Sequence, residues 1–135
     1  MIYVTRREVF SAAHRLHNDN LSAEENWNLF GKCNNTNGHG HNYVLEVVVA
    51  GEIDCITGYV IDLKILKEII RKNVIAKVDH KNLNYDVDFL SGKNPTAENI
   101  ALGIWQQLEG KIPSGTLFSV KLYETENNYV EYRGE

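Results

Sequence analysis

The segment His39-Gly40-His41-Asn42-Tyr43-Val44-Leu45-Glu46-Val47-Val48-Val49-Ala50-Gly51 decides the fold. Alternate side chains of a β-strand point to the same face. His39, His41, Tyr43, Leu45, Val47 and Val49 therefore share one face of a strand that Gly51 ends. The stretch predicts a strand with an apolar inner side and a more polar outer side, the pattern of an antiparallel sheet covered by one further layer. The two histidines open that inner face. Residues two apart on a strand lie roughly 7 Å apart at Cα, so both imidazoles can reach one metal ion.

The same parity recurs on either side. Ile2, Val4, Phe10, Ala12 and His14 share one face of a strand over residues 2–14. Phe118, Val120, Leu122 and Glu124 share one face over residues 116–125. A turn at Glu126-Asn127-Asn128 returns the chain as a fourth strand, Tyr129–Arg133. Between these pairs the apolar period becomes helical. Residues 62–77 predict a helix capped by Asp62, with Leu63, Leu66, Ile70 and Val74 as its apolar stripe. Asn94-Pro95-Thr96 starts a second helix, with Pro95 placed in its first turn, Ile100, Ala101, Ile104, Trp105 and Leu108 buried, and Gly110 and Pro113 stopping it. A short helix over Ser22–Phe30 has Ser22 as N-cap and Glu25 completing a capping box. Residues 32–38 and 79–94 read as turn and loop. The order β, β, α, α, β, β predicts an α+β fold: a four-stranded antiparallel sheet with two helices on one face, in a single domain spanning 1–135. Such a sheet has open edges and one bare face, which predicts oligomerisation.

Composition narrows the function. The 135 residues carry 14 Lys and Arg against 18 Asp and Glu, a net charge of −4, which argues against a sequence-independent nucleic-acid binder. No apolar run approaches the ~20 residues that a membrane helix needs. The start, Met1-Ile2-Tyr3-Val4-Thr5-Arg6-Arg7, lacks a secretory leader core. Cys33 and Cys55 are expected as free thiols in a cytoplasmic protein.

The histidines carry the chemistry. His14 ends the inward parity of the first strand and can join His39 and His41. Three histidines with an open fourth position describe a catalytic zinc site, and four closed ligands a structural one. Cys33 fits three roles: fourth ligand, nucleophile or base beside the metal, or ordinary turn residue. His17, in a polar segment, is expected to face solvent, and Cys55 to be structural. In Asp79-His80 a carboxylate can orient an imidazole and raise its basicity, although the pair also suits a helix end. Glu124 ends an inward face, where a carboxylate needs partners such as the amino and ring N–H groups of a guanidine-like heterocycle, unless the strand simply emerges into solvent. Glu98 sits in the first turn of the second helix, where the helix dipole favours it regardless of other roles.

Several stretches together carry a resemblance: Phe10-Ser11-Ala12-Ala13-His14-Arg15-Leu16, Phe30-Gly31-Lys32-Cys33-Asn34-Asn35-Thr36-Asn37-Gly38-His39-Gly40-His41-Asn42-Tyr43, Gly51-Glu52-Ile53-Asp54, Thr57-Gly58, Asp79-His80-Lys81-Asn82-Leu83, Thr96-Ala97-Glu98-Asn99, Tyr123-Glu124-Thr125 and Tyr132-Arg133-Gly134-Glu135. In this order, nearly end to end, they resemble the 6-pyruvoyl tetrahydropterin synthase family. The resemblance implies the T-fold, in which trimers close a β-barrel and two trimers stack into a hexamer with active sites at subunit interfaces. It implies Zn2+ on His14, His39 and His41, Cys33 as proton-abstracting base, Asp79 and His80 as the relay that activates it, Glu124 as anchor of the pterin ring, and Thr96 and Glu98 lining the pocket. The implied reaction converts 7,8-dihydroneopterin triphosphate to 6-pyruvoyl-tetrahydropterin and triphosphate. A sister enzyme of queuosine biosynthesis, 6-carboxy-tetrahydropterin synthase, is similar and uses the same substrate, and Asn94-Pro95-Thr96 resembles that group more. A non-catalytic zinc module closed by Cys33 is the reading from a different class.

Overall fold

The computed structural model describes residues 1–135. Its sheet is built from β1 (Ile2–His14), β2 (His39–Gly51), β3 (Lys81–Asn82), β4 (Thr116–Thr125) and β5 (Asn128–Tyr132), in the order β3-β1-β2-β4-β5. The two long strands pair antiparallel along their whole length, from Ile2 opposite Gly51 to His14 opposite His39. β4 pairs with β2 and β5 with β4, both antiparallel. The α+β class stands. The four-strand, all-antiparallel sheet is corrected: the two-residue β3 runs parallel to β1 at Ala12 and Ala13, so the sheet is mixed and five-stranded. Two residues are too few to show any side-chain period, so this strand lay hidden in what reads as loop.

The helices are α1 (Ala23–Phe30), α2 (Leu63–Ile70), α3 (Ala76–Val78) and α4 (Ala97–Leu108). Ser22 and Glu25 make the expected capping box on α1: the Ser22 hydroxyl accepts from Glu25 N, and Glu25 Oε1 accepts from Ser22 N. Asp62 caps α2 as expected, its carboxylate accepting from Lys64 N. A π-helical turn, Arg71–Ile75, joins α2 to α3. Leu66, Ile70, Val74 and Val78 are all fully buried at steps of four residues. A step of four overshoots an α-helical turn by about 0.4 residues. The wider π turn absorbs that drift and keeps all four on one face. Leu63, counted in the apolar stripe, is instead exposed.

The start of α4 also differs from expectation. Thr96 is the N-cap, its hydroxyl accepting from Asn99 N, so Pro95 lies before the cap rather than in the first turn. That placement leaves the Pro95 carbonyl free to act at the metal corner described below.

The inner sheet face carries Phe10, Ala12, Tyr43, Leu45, Val47, Val49, Val120 and Leu122, which form one core with Leu66, Ile70, Val74, Ile100, Ile104 and Leu108 from the helices. Each fully buried side chain of this kind stabilises the fold by roughly 1.5–3 kcal/mol. Glu8 falls on the same face. Burial raises its pKa, but hydrogen bonds and charge from Arg6 and Arg71 outweigh that and hold it below the usual carboxylate value. Phe118 leaves the face assigned to it. A register shift opposite Val48 and Val49 puts Leu117 across from Val49, and Phe118 packs edge-on against Tyr3 at 4.8 Å between ring centroids. One extra residue in a strand breaks the two-residue period without any mark in composition. No helix is long and apolar enough to cross a membrane.

Candidate metal centre and adjoining cavity

The antiparallel register dictates the site. His14 lies opposite His39 and Ala12 opposite His41, so the inward parities of β1 and β2 bring three imidazoles to one corner of the sheet. Their ligand atoms all lie within 4.8 Å of one another. His14 Nε2 and His39 Nε2 are 3.1 Å apart. Nitrogens sharing a tetrahedral zinc at the usual Zn–N length of about 2.0–2.1 Å stand about 3.3–3.4 Å apart, so the spacing suits a shared cation. Gly38, just before the first of these strand histidines, has φ +76°, and a Cβ there would lie 2.8 Å from the His14 carbonyl oxygen. Only glycine lets the chain enter β2 this close to β1.

Each ring has distinct surroundings. His14 is 1% exposed, and its Nδ1 donates to the Pro95 carbonyl at 2.7 Å. That bond places the proton on Nδ1 and leaves the Nε2 lone pair directed at the other histidines. Burial pulls the His14 pKa below its ordinary value, against the opposing effects of the Pro95 bond and the Glu124 charge. His41 is shifted the same way, first by burial and further by His39, with Glu124 opposing. Both are thus kept in the neutral form that a metal requires. His39 Nδ1 and His41 Nε2 are buried without a hydrogen-bond partner. Buried polar atoms without partners are rare, and a cation bound among the three rings would give His41 Nε2 its missing partner. The three histidines therefore fit a metal ion.

Glu124 stands beside this corner. Its Oε1 is 3.6 Å from His41 Nε2, a distance of charge proximity rather than hydrogen bonding. Glu124 also lines a cavity of about 240 Å³ with Leu16, Thr96, Glu98, Tyr129 and Val130. Thr96, Glu98 and Glu124 are thus brought together next to the three histidines.

The remaining candidates lie elsewhere. Asp79 and His80 form a pair, with His80 Nδ1 3.0 Å from Asp79 Oδ1. Asp79 is held to β1 by Ser11 N at 2.9 Å, and this bond, joined by those from His80, keeps its carboxyl below the usual range. His80 N donates to Ser11 O at 2.6 Å, and His80 adopts a left-handed φ of 60°, rare for a residue with a side chain. Cys33 sits on a 3-10 turn, Gly31–Asn34, whose Cys33 carbonyl accepts from Leu16 N at 2.9 Å. No hydrogen bond or ion pair joins the Asp79–His80 pair to Cys33, and Cys33 is not part of the histidine group.

Two side chains depart from their expected surroundings. His17 does not simply face solvent: its Nδ1 accepts from Asn34 Nδ2 at 2.9 Å, and its Nε2 is 3.2 Å from Asp19 Oδ1. Cys55 is exposed on a turn rather than structural, and both cysteines are free, as expected. Sequence reasoning missed the Pro95 carbonyl, since main-chain groups carry no residue signature. It also missed Tyr43 as a neighbour of the site, although Tyr43 continues the parity of His39 and His41 and its hydroxyl lies 3.4 Å from His14 Nδ1.

Fold and site together define an α+β protein with a three-histidine corner that could hold a metal ion, beside a carboxylate-lined cavity. Residues 3–135 match the 6-pyruvoyl tetrahydropterin synthase model, and the chain belongs to that family. It is 52% identical over 132 residues to the human 6-pyruvoyl tetrahydrobiopterin synthase, covering 98% of this chain and 91% of the relative. It is 34% identical over 149 residues to a 6-carboxy-5,6,7,8-tetrahydropterin synthase of Rickettsia typhi, covering 97% and 99%. The solved structure of the Caenorhabditis elegans 6-pyruvoyl tetrahydropterin synthase superposes with a TM-score of 0.93 at 43% identity, covering 99% of this chain and 96% of that one.

Proposed function

We propose that this chain is a zinc-dependent lyase that converts 7,8-dihydroneopterin triphosphate to 6-pyruvoyl-tetrahydropterin and triphosphate. The observation that carries the reading is the meeting of His14, His39 and His41 with the cavity lined by Thr96, Glu98 and Glu124. The 52% identity to the human synthase supports the same product.

His14, His39 and His41 would hold the zinc, which would supply Lewis acidity toward the substrate's side-chain hydroxyls. Glu124 accepts the amino and ring N–H groups of the pterin, and Thr96 and Glu98 frame the ring from the start of α4. Cys33 removes a side-chain proton as general base. Asp79 accepts from His80 Nδ1, which fixes the tautomer and leaves His80 Nε2 free to take a proton from the thiol. A reacting group and its base must stand within hydrogen-bond reach. No hydrogen bond or ion pair joins His80 to Cys33 within one chain, and we take the pair to come from a neighbouring copy. We therefore read the single domain, 1–135, as a T-fold subunit whose trimers close a barrel and stack into a hexamer. The exposed Tyr3 and Val9 on the bare sheet face support such an assembly. The net charge of −4 argues against a nucleic-acid partner, and the free thiols support a cytoplasmic setting.

The test is product analysis. Zinc-loaded protein incubated with 7,8-dihydroneopterin triphosphate, without added reductant, should give 6-pyruvoyl-tetrahydropterin and triphosphate by mass. 6-Carboxy-tetrahydropterin with acetaldehyde would move the chain to the reaction named for its Rickettsia relative. Loss of zinc in Cys33→Ala without any turnover by the parent would instead indicate a structural zinc module.

A further inference from the structure

We infer that Asn34 is a positioning residue for the Cys33 thiol, acting through Arg15, Leu16 and His17. The inference rests on the reading of Cys33 as the proton-moving group. Cys33 lies on a single four-residue 3-10 turn, and such turns have poor hydrogen-bond geometry and little stability of their own. What holds this one is its last residue. Asn34 is 7% exposed. Its side-chain amide nitrogen donates to Leu16 O at 2.7 Å and to His17 Nδ1 at 2.9 Å. Its main-chain carbonyl accepts from Arg15 Nε at 3.1 Å. The Cys33 carbonyl accepts from Leu16 N at 2.9 Å.

All four bonds run to residues 15–17, directly after the ligand His14. The same strip is tied to the other side of the corner. His17 N donates to Asn94 Oδ1 at 3.2 Å, and the next residue, Pro95, holds His14 through its carbonyl. One short network thus fixes the thiol-bearing turn relative to the metal corner.

The chemistry of the bonds explains the residue type. Accepting at Nδ1 requires His17 to carry its proton on Nε2, which points at Asp19 Oδ1. The partner of His17 and Leu16 O must then offer two N–H donors from a short side chain. Asparagine does this, whereas aspartate offers no donor and leucine no polar atom. No substrate contact is required for this role.

The test uses the zinc-loaded, full-length protein in a Cys55→Ser background, so that Cys33 is the one remaining thiol. A misplacement of about 1 Å can cost about 100-fold in rate, so Asn34→Ala should lower kcat by about 30- to 100-fold with KM within about twofold. Zinc content should stay unchanged, because the ligands are held by β1, β2 and Pro95. The half-buried thiol should react with iodoacetamide several-fold faster across the pH range. His17→Leu, which removes one Asn34 partner, should move both readouts the same way by a smaller factor, and it decides the matter should Asn34→Ala fail to fold. The double variant should be no worse than Asn34→Ala alone, since both act on one bond. An unchanged alkylation rate, or a kcat loss that tracks zinc loss, would overturn the inference. Full turnover by Cys33→Ala would overturn the role given to Cys33 instead, while alkylation would still decide whether Asn34 holds the thiol.

Discussion

At the His14 end of β1 and β2, three imidazoles and a carboxylate converge within one chain, whereas Cys33 and the Asp79–His80 pair sit on separate elements that no hydrogen bond or ion pair joins. The first region is a product of strand register. Thirteen consecutive pairings between β1 and β2 fix which side chains face one another, and a slip of one residue would send all the histidines to the other face. The second region depends on a two-residue strand and one 3-10 turn. The fold thus places the three histidines where secondary structure is strongest, and the groups proposed to move protons on short pieces of the chain.

The sharpest way to break this contrast is to remove a metal ligand. His39→Ala should abolish zinc retention after dialysis and reduce activity to background, because two histidines leave too few protein ligands for a zinc site. The fold should survive, as the β1–β2 pairing and the core do not depend on that ring. Far-UV circular dichroism close to the parent's, with zinc lost, is the expected result. A protein that keeps stoichiometric zinc would show that the corner is not the metal site.

The next test addresses assembly. Cys33→Ala and His80→Ala should each lose most activity, on the order of 100-fold or more for a general acid–base group. If the two groups meet only across subunits, mixing the two variants under subunit exchange assembles sites with both groups intact. Random assortment gives about a quarter of the sites both groups in a closed homo-oligomer, and activity should recover toward that fraction. No recovery despite demonstrated exchange would mean that Cys33 and His80 act within one chain, and the contrast between the two regions would collapse.

The same contrast explains what was legible in the sequence. A period of two runs unbroken through His39, His41 and Tyr43 to Val49, and the parity of the first strand reaches His14. Hence the metal corner and the principal strands were readable from residue type alone. The capping residues Ser22 and Asp62 were readable for the same reason, since their chemistry is local, whereas Thr96 reads in the sequence as part of a Pro95-led first turn. Three features carried no such signal. β3 is shorter than one period, the bulge at Phe118 reverses parity without a compositional cue, and the Pro95 carbonyl acts through the main chain. The π turn was hidden as well, although the four-residue spacing of Leu66, Ile70, Val74 and Val78 implied that the helix had to be unwound somewhere.

Concentrating histidines in a buried corner also has a cost that pH exposes when no metal is bound. Burial lowers the pKa of His14 and His41 in the folded protein from the ordinary value of 6.5. Between that value and the lowered one, the unfolded chain takes up protons that the folded chain refuses. Stability of the metal-free protein therefore falls as pH drops from about 6.5 through the lowered folded values, by at most about 1.4 kcal/mol per pH unit for each group. Glu8 and Asp79, whose folded values are also depressed, add their own losses only at lower pH, in the carboxylate range. Thermal melts of metal-free protein should thus decline between pH 7.5 and 5.5, before any carboxylate titrates. His14→Gln, which has no proton to take up, should give a shallower decline. Zinc at saturating concentration should raise the whole curve above pH 6.5 and lose that effect on acidification, because protons and metal compete for the same lone pairs. A flat profile down to pH 5.5 in the metal-free protein would mean that the corner accepts protons as freely as solvent does, and that its three rings are less tightly enclosed than the strand register makes them.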